Sequence, residues 1–331
     1  MSVPRRLLLT PLIALVVGAA AACTGSSAPA PVVSATLPSP TAYATQALDL
    51  IGTNLFVDAN WPAVRAVALQ RVEKAVRTTD TYAALRDALA AAGQRAGDLV
   101  STVDMTKVPP SAAQPTTSST DRVTTIVLPG FVDLSARPGS GQPTSAERSY
   151  VRRGSAVIAN ATALTTCGWI VDVRGNGSTD VPVMIGSIAA LLPSGPTLVE
   201  VDRTARSQRI GLEGDAVTIG TEPVMPLDPV HPITQPVVVL QDSGTTRAGE
   251  AVVLAFHARD RSRSIGTPTF GQPTDGVTEL LPDGAHLYIA RTTMGDRRAQ
   301  LAGGPIAPDD LVTDPAAQLT AARSWLQGQC R

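Results

Sequence analysis

The sequence predicts an α/β fold, in which a mixed sheet flanked by helices follows a small helical N-terminal subdomain. Residues 42–92 place apolar side chains at helical spacing. From about Asp121 the pattern changes to alternating strands and helices, which is typical of an α/β core. Residues 169–173 form a nearly continuous apolar run, as expected of a strand covered on both faces of its sheet. The length of 331 residues allows about two domains.

The first 22 residues have the pattern of an export signal. Arg5 and Arg6 precede an apolar run over residues 7–18, and three alanines then lead to Cys23. Alanines followed directly by cysteine resemble a bacterial lipoprotein signal, which predicts lipidation of Cys23. A Ser/Ala/Pro-rich tether over residues 23–41 follows. We therefore expect an extracytoplasmic protein that meets the cell membrane only through its lipid anchor; the alternative is an ordinary secretory signal that is cleaved nearby.

Export implies an oxidising compartment, where cysteines form disulfides. If Cys23 is lipidated, Cys167 and Cys330 remain as an even pair, and we predict a disulfide between them. Two separate thiols are the alternative. The formal net charge of −1 does not suggest a nucleic-acid partner. No His, Cys or carboxylate spacing predicts a metal site, no phosphate-binding glycine loop predicts a nucleotide, and we expect no cofactor.

The helical subdomain is predicted over residues 42–110, with helices at 45–56, 61–77 and 81–91. In the second helix an apolar residue recurs every fourth position, at Val64, Ala68, Val72 and Val76. Asn60 is the expected cap of this helix, and Asp80 is the expected cap of the third.

The most informative segment is residues 237–276. It begins with a buried strand over 237–240, continues through a polar turn over 242–246, and enters a helix from about 247 to 258. A short strand through Ile265 and a Gly/Pro-containing loop follow. A turn that delivers a side chain to a helix N-terminus is a good place for a nucleophile, because the free N–H groups there stabilise negative charge.

Three motifs carry a family resemblance. The turn ends in Thr-Thr-Arg-Ala-Gly-Glu at Glu250, a Gly-x-x-Thr-x-Gly loop spans 266–271, and Arg-Gly-Asn-Gly lies at 174–177. This set resembles the tail-specific, or C-terminal-processing, serine proteases. The resemblance is to the branch without a PDZ domain, which includes the tricorn core and the retinoid-binding protein. The resemblance implies a ClpP/crotonase-like core over residues 111–331 and serine-type proteolysis.

The same resemblance implies that the catalytic positions are substituted. The family's nucleophilic serine stands three residues before the glutamate, where this chain has Arg247. The base of the Ser–Lys branch corresponds to Gln272, and the histidine of the tricorn branch to Val100. The family's oxyanion hole lies in the turn formed here by Gly175, Gly177 and Ser178, with Ala248 after the nucleophile position. Serine replaces a glycine there, so we expect a deformed hole.

Two functions follow from this pattern. The first is a catalytically degenerate family member that binds a peptide or protein, with Arg247 holding a carboxylate by two parallel hydrogen bonds. The second is an active peptidase that uses a displaced hydroxyl, Ser243 or Thr246, although His257 would lie about 15 Å from Arg247 on one helix. A small-ligand binder is a third possibility. Arg247 also has a simpler interpretation, as a solvated residue or one paired with Glu250.

Overall fold

The computed structural model describes residues 37–55, 60–93, 96–105, 113–133, 142–165 and 167–330. Residues 37–331 form one compact unit. The predicted signal peptide, Cys23 and most of the tether lie outside the described residues. The described helices are α1 (Pro40–Asn54), α2 (Trp61–Val72), α3 (Tyr82–Ala91), α4 (Thr102–Met105), α5 (Ser145–Ala161), α6 (Val181–Ser187), α7 (Ala248–His257) and α8 (Pro315–Gly328).

The strands form two sheets, so the predicted α/β class is confirmed. The strands are β1 (Gly97–Val100), β2 (Thr116–Thr120), β3 (Val123–Val127), β4 (Gly168–Asp172), β5 (Gly195–Asp202), β6 (Ser207–Glu213), β7 (Ala216–Ile219), β8 (Glu222–Pro226), β9 (Val237–Gln241), β10 (Ser262–Gly266), β11 (Thr274–Leu280), β12 (His286–Asp296) and β13 (Asp310–Leu311).

The first sheet is largely parallel and has the order β13-β10-β9-β4-β3-β2, with only β2 antiparallel to its neighbour. Every residue of β4 and β9 is buried. One face of these strands packs on the main core, and the other packs on α8. Burial on both faces explains the continuous apolar runs in the sequence.

The second sheet is antiparallel and has the order β1-β12-β5-β6-β7-β8, with β11 also paired to β12. Helix α7 lies between the two sheets, and its residues 248–256 are all buried. A helix that is apolar on all sides belongs in the interior of a domain. The N-terminus of α7 therefore emerges where the carboxyl ends of the parallel strands face the antiparallel sheet.

The helical subdomain departs from its predicted boundaries. Helix α1 begins at Pro40 rather than residue 45, because the Ser39 hydroxyl accepts a hydrogen bond from the Ala42 N–H. Helix α2 ends at Val72, so Val76 is 84% exposed and is not part of the apolar stripe. Asn60 precedes α2 but makes no side-chain capping bond.

Asp80 does not cap α3 as predicted. Its carboxylate instead accepts hydrogen bonds from the backbone N–H groups of Arg77 and Val76, which folds the chain into a short 3₁₀ turn before Tyr82. The subdomain is joined to the core by β1, which pairs with β12. Its contact with the core therefore includes main-chain hydrogen bonds as well as apolar packing.

The C-terminal helix α8 begins as predicted, with the Asp314 carboxylate accepting from the Ala317 N–H and Pro315 in the first turn. The predicted disulfide is present and joins Cys330 to Cys167 across a Cα–Cα distance of 4.5 Å. It attaches the end of α8 to the start of β4. None of the described helices is long and apolar enough to span a membrane.

Candidate functional site

Three chain segments meet at the N-terminus of α7. They follow β4, β9 and β10, whose carboxyl ends share one edge of the parallel sheet. The Thr246 N–H donates to the Asn176 carbonyl at 2.9 Å, and the Phe270 N–H donates to the Thr245 carbonyl at 3.0 Å. The Thr245 hydroxyl donates to the Val173 carbonyl at 2.8 Å. Such an edge is where ligands bind in open parallel sheets.

Close backbone contact explains the glycine that precedes Glu250. A Cβ on Gly249 would lie 2.5 Å from the Asn176 carbonyl oxygen, so the first turn of α7 can approach the segment after β4 only with glycine there. A Cβ on Gly244 would likewise lie 2.9 Å from the Gly175 Cα. The two turns are thus packed backbone to backbone.

Glu250 ties the start of α7 to the loop after β10. Its Oε1 accepts from the Thr269 hydroxyl at 2.6 Å and the Gly271 N–H at 2.9 Å. Its Oε2 accepts from the N–H groups of Gln272 at 2.9 Å and Arg247 at 3.0 Å. Burial raises the pKa of Glu250, and these hydrogen bonds oppose that shift. The carboxylate therefore fixes the loop over residues 267–272 against the helix.

Arg247 stands at the start of α7 in a backbone conformation that favours glycine. Its φ of 52° and ψ of −113° are those of the first central residue of a type II′ turn. A non-glycine residue there costs on the order of 1–3 kcal/mol. The turn thus holds residue 247 in a strained conformation that presents its side chain at the helix N-terminus.

The Arg247 guanidinium lies over the Tyr288 ring, with Cζ 4.4 Å from the ring centroid. This is cation–π geometry. Its Nε is buried, and no residue in the described part of the chain accepts a hydrogen bond from it. The described residues also include no ion pair between Arg247 and Glu250, because Glu250 is bonded to the Arg247 backbone rather than to its side chain.

Three of the four residues predicted for the oxyanion turn donate their N–H groups to protein oxygens. The Ser178 N–H donates to Asn176 Oδ1 at 3.0 Å, and the Ala248 N–H donates to the Ser178 carbonyl at 3.0 Å. Gly175 has a φ of 66°, and its N–H donates to Asp242 Oδ1 at 2.8 Å. Gly177 lies beside Thr246, since a Cβ on it would be 3.7 Å from Thr246 Cγ2.

The predicted site residues around Arg247 are only partly brought together. The Thr246 hydroxyl lies 3.4 Å from Gln272 Oε1, so Gln272 does reach the turn. Ser243 is exposed at the tip of the same turn. Val100 lies on β1, where its register partner on β12 is His286. Asp98, two residues earlier, is the partner of Tyr288.

The histidine of α7 does not lie near the hydroxyls of the turn. His257 lies at the opposite end of α7 from Arg247, where its Nδ1 is 3.6 Å from Asp296 Oδ2. His231 lies in the segment between β8 and β9. No cluster of three or more metal-ligating side chains occurs among the described residues.

Tyr288 and the carboxyl of Asp180 are not among the residues that the sequence predicts for the site. Asp180, which caps α6 by accepting from the Val183 N–H, has its pKa raised to about 7 by burial and by the nearby carboxyls of Glu147, Asp275 and Asp133. Tyr288 alternates along a strand far from Arg247 in sequence. The local sequence marks Asp180 only as a helix cap, and Tyr288 reaches Arg247 only through the pairing of distant strands.

Comparison with known proteins agrees with this geometry. The nisin-resistance protein of Lactococcus lactis subsp. lactis is 28% identical over 165 residues, which are 50% of this chain and 51% of that protein. The chain thus spans about half the length of this curated relative. A lipoprotein of Streptococcus agalactiae has the same fold, with a TM-score of 0.71, 18% identity, and coverage of 89% of this chain and 98% of that chain.

The photosystem II D1 C-terminal processing protease also shares the fold, with a TM-score of 0.54, 13% identity, and coverage of 84% of this chain and 94% of that chain. A family model, that of peptidase family S41, matches residues 147–312. This match covers half of the chain and includes the segment after β4, helix α7 and the loop after β10. The chain therefore belongs to peptidase family S41.

Proposed function

We propose that this protein is an exported, lipid-anchored member of peptidase family S41 that binds a peptide or protein ligand without hydrolysing it, and that Arg247 holds a carboxylate of that ligand. The observation that carries the proposal is the position of the Arg247 guanidinium. It stands at the turn where the family places its nucleophile, with a buried Nε that no described residue accepts from.

Recognition of a carboxylate is the chemistry that fits this arrangement. A guanidinium binds a carboxylate through two parallel N–H···O bonds, and a helix N-terminus favours negative charge. Tyr288 supports the plane of the guanidinium and restricts its rotation. A chain end or an acidic side chain of a peptide would supply the anion.

Loss of hydrolysis is supported by the surroundings of the same turn. Guanidinium is a cation that gives no nucleophile at ordinary pH. The hydroxyl of Thr246, the residue before Arg247, donates to the side-chain amide oxygen of Gln272, and an amide cannot take up a proton as a general base. The N–H groups of Ser178 and Ala248 already bond protein oxygens and are not directed at a substrate carbonyl.

Binding experiments test the proposal directly. Isothermal titration of a peptide with a free C-terminal carboxylate, and of the same peptide as an amide, is expected to favour the acid by at least about tenfold. Arg247→Gln should remove that preference. Arg209→Gln, which changes an exposed arginine on β6 to the same residue, should leave it intact. Equal affinity of acid and amide for the unmodified protein would overturn the role of Arg247.

The competing function is an active peptidase that uses Ser243 or Thr246. It predicts cleavage of unstructured peptides that is lost in Ser243→Ala or Thr246→Ala. Our proposal predicts no cleavage above that of a buffer control in the unmodified protein or in either variant.

Export and anchoring are supported by Cys23 after an apolar segment, by the Cys167–Cys330 disulfide, and by the fold shared with a Streptococcus agalactiae lipoprotein. Labelling of the expressed protein with a radioactive fatty acid, with loss of label in Cys23→Ser, is the expected result. Label that persists in Cys23→Ser would contradict lipidation at this residue.

A further inference from the structure

A cavity of about 540 Å³ lies on the antiparallel sheet, outside the catalytic positions of the family. It is lined by residues of β5, β6, β11 and β12 and of the turn between β5 and β6. Two of its wall residues are Glu200 on β5 and Asp275 on β11. The strand β12 separates β5 from β11 in the sheet, so these two carboxyls reach each other across a strand.

Glu200 is buried with half of its carboxylate unsatisfied. The residue is 2% exposed, and its Oε2 accepts from Gln208 Nε2 at 3.1 Å. Its Oε1 is also buried and accepts from no N–H or hydroxyl group among the described residues. A hydrogen bond between the Glu200 and Asp275 side chains requires a proton on one of the two carboxyls. A buried charged oxygen without a donor is costly, so the site calls for a proton or a cation at this atom.

Asp275 supplies a second carboxyl at the same place. Its Oδ1 accepts from the Gly276 N–H at 2.8 Å. Burial and the neighbouring Glu200 raise the pKa of Asp275, and burial raises the pKa of Glu200. Two adjacent buried carboxyls cannot both ionise cheaply, so the pair favours a shared proton or a bound cation.

The other charged groups of the cavity largely cancel one another. Asp202 forms an ion pair with Arg206 at 3.2 Å, which leaves Arg291, exposed on β12, as the remaining cation of the lining. The carboxyls of Glu200 and Asp275 are the remaining acidic groups of the lining. The buried wall of the cavity is therefore acidic, whereas its arginines are exposed.

This acidic wall and Arg247 lie around one phenol ring. The Tyr288 hydroxyl donates to the carbonyl of Thr274, the residue before Asp275, at 3.4 Å, and the Arg247 guanidinium stacks on the same ring. Burial raises the pKa of Tyr288, as do the carboxyls of Asp275 and Glu200, whereas Arg247 opposes the shift. The guanidinium on the ring and the carboxyl pair beside it therefore present opposite charges, which suits a ligand that carries one negative and one positive group.

We propose that Glu200 and Asp275 bind the side-chain ammonium of a lysine at the C-terminus of a peptide whose carboxylate is held by Arg247. This assignment rests on the proposed function of Arg247. The ammonium replaces the shared proton and donates to Glu200 Oε1 and to Asp275. A compact ammonium on a four-carbon stem suits a buried oxygen better than a planar guanidinium does.

Four acetylated peptides that differ only in their C-terminal residue and end group test the assignment by isothermal titration. They end in lysine or in norleucine, which has an uncharged side chain of similar length, and each is made as the free acid and as the amide. We expect the lysine acid to bind about tenfold or more tightly than the norleucine acid. In Glu200→Gln this difference should fall below about twofold.

The control is Glu213→Gln, which makes the same chemical change at an exposed position on β6 and should keep the full lysine preference. If Glu200→Gln does not fold, Asp275→Asn provides the same test. Equal binding of lysine and norleucine acids, with the amides weaker, would overturn the ammonium pocket and leave the role of Arg247 standing. A lysine preference that is equal in acids and amides would keep the pocket and overturn the role of Arg247.

Discussion

Glu250 and Arg247 lie three residues apart on the first turn of α7, yet their surroundings are opposite. Glu250 is fully buried and accepts four hydrogen bonds from the segments around it. Arg247 is partly buried, has a strained backbone, and keeps a buried Nε without an acceptor in the described part of the chain. The comparison teaches that Glu250 has its hydrogen bonds satisfied within the protein, whereas Arg247 three residues earlier keeps a buried donor that no described residue accepts from.

The largest effect on stability is expected from removing the Glu250 carboxylate, whose hydrogen bonds are satisfied within the protein. Glu250→Ala leaves four donors without their acceptor, and we expect it to lower the free energy of unfolding by about 3–5 kcal/mol. Urea denaturation measures this change. Glu213→Ala removes an exposed glutamate and should change stability by less than about 0.5 kcal/mol. A loss below about 1 kcal/mol for Glu250→Ala would show that the network does not hold the site together.

A smaller effect on stability is expected at Asp180, which caps α6 and whose pKa is raised to about 7. An unfolded aspartate ionises near pH 3.9, so between about pH 4 and 7 the folded protein binds the proton more tightly. Stability should therefore fall as pH rises through this window. Asp180→Asn keeps an acceptor for the Val183 N–H and removes the carboxyl that titrates. Relative to its difference from the unmodified protein at pH 4, it should gain about 1–3 kcal/mol by pH 8.

Urea denaturation of both proteins at each pH unit from 4 to 8 measures this gain. Asp215→Asn, at an exposed turn, should show a difference that does not vary over the same range. A constant difference for Asp180→Asn as well would contradict the raised pKa of Asp180.

The smallest effect isolates the strain at Arg247. Arg247→Gly and Arg247→Ala both remove the guanidinium, but only glycine adopts a φ of 52° and a ψ of −113° at low cost. We expect the glycine variant to be about 1–2 kcal/mol more stable than the alanine variant. At Arg209 on β6 the order should reverse, because glycine weakens a strand. Equal stability of the two variants at position 247 would show that the turn stores no strain.

Much of the fold could be predicted from the sequence because its signals are local. The apolar runs of β4 and β9, the cap of α8 at Asp314 and the paired cysteines each depend on neighbouring residues or on counting. The end of α2 could not be predicted, because the carboxylate of Asp80 bonds the backbone N–H groups of residues 76 and 77 and redirects the chain.

The candidate site could be predicted only in part for the same reason. Arg247, Glu250 and Gln272 were found because they fall within or beside short motifs of a known family. Tyr288 was not found, since it reaches Arg247 from a strand about 40 residues further along the chain, and pairing between distant strands leaves no local pattern. The Glu200–Asp275 pair could not be predicted, because its two carboxyls come from strands separated by β12.

The most direct test of the central claim is reaction of the purified protein with a fluorophosphonate, followed by intact-mass measurement. The reagent reports an activated hydroxyl whatever the substrate is. We predict no adduct, because Arg247 stands where the family motif predicts the nucleophile and the neighbouring Thr246 hydroxyl is bonded to an amide, which is not a base. A stoichiometric adduct that fragment mass spectrometry locates on Ser243 or Thr246 would contradict the account.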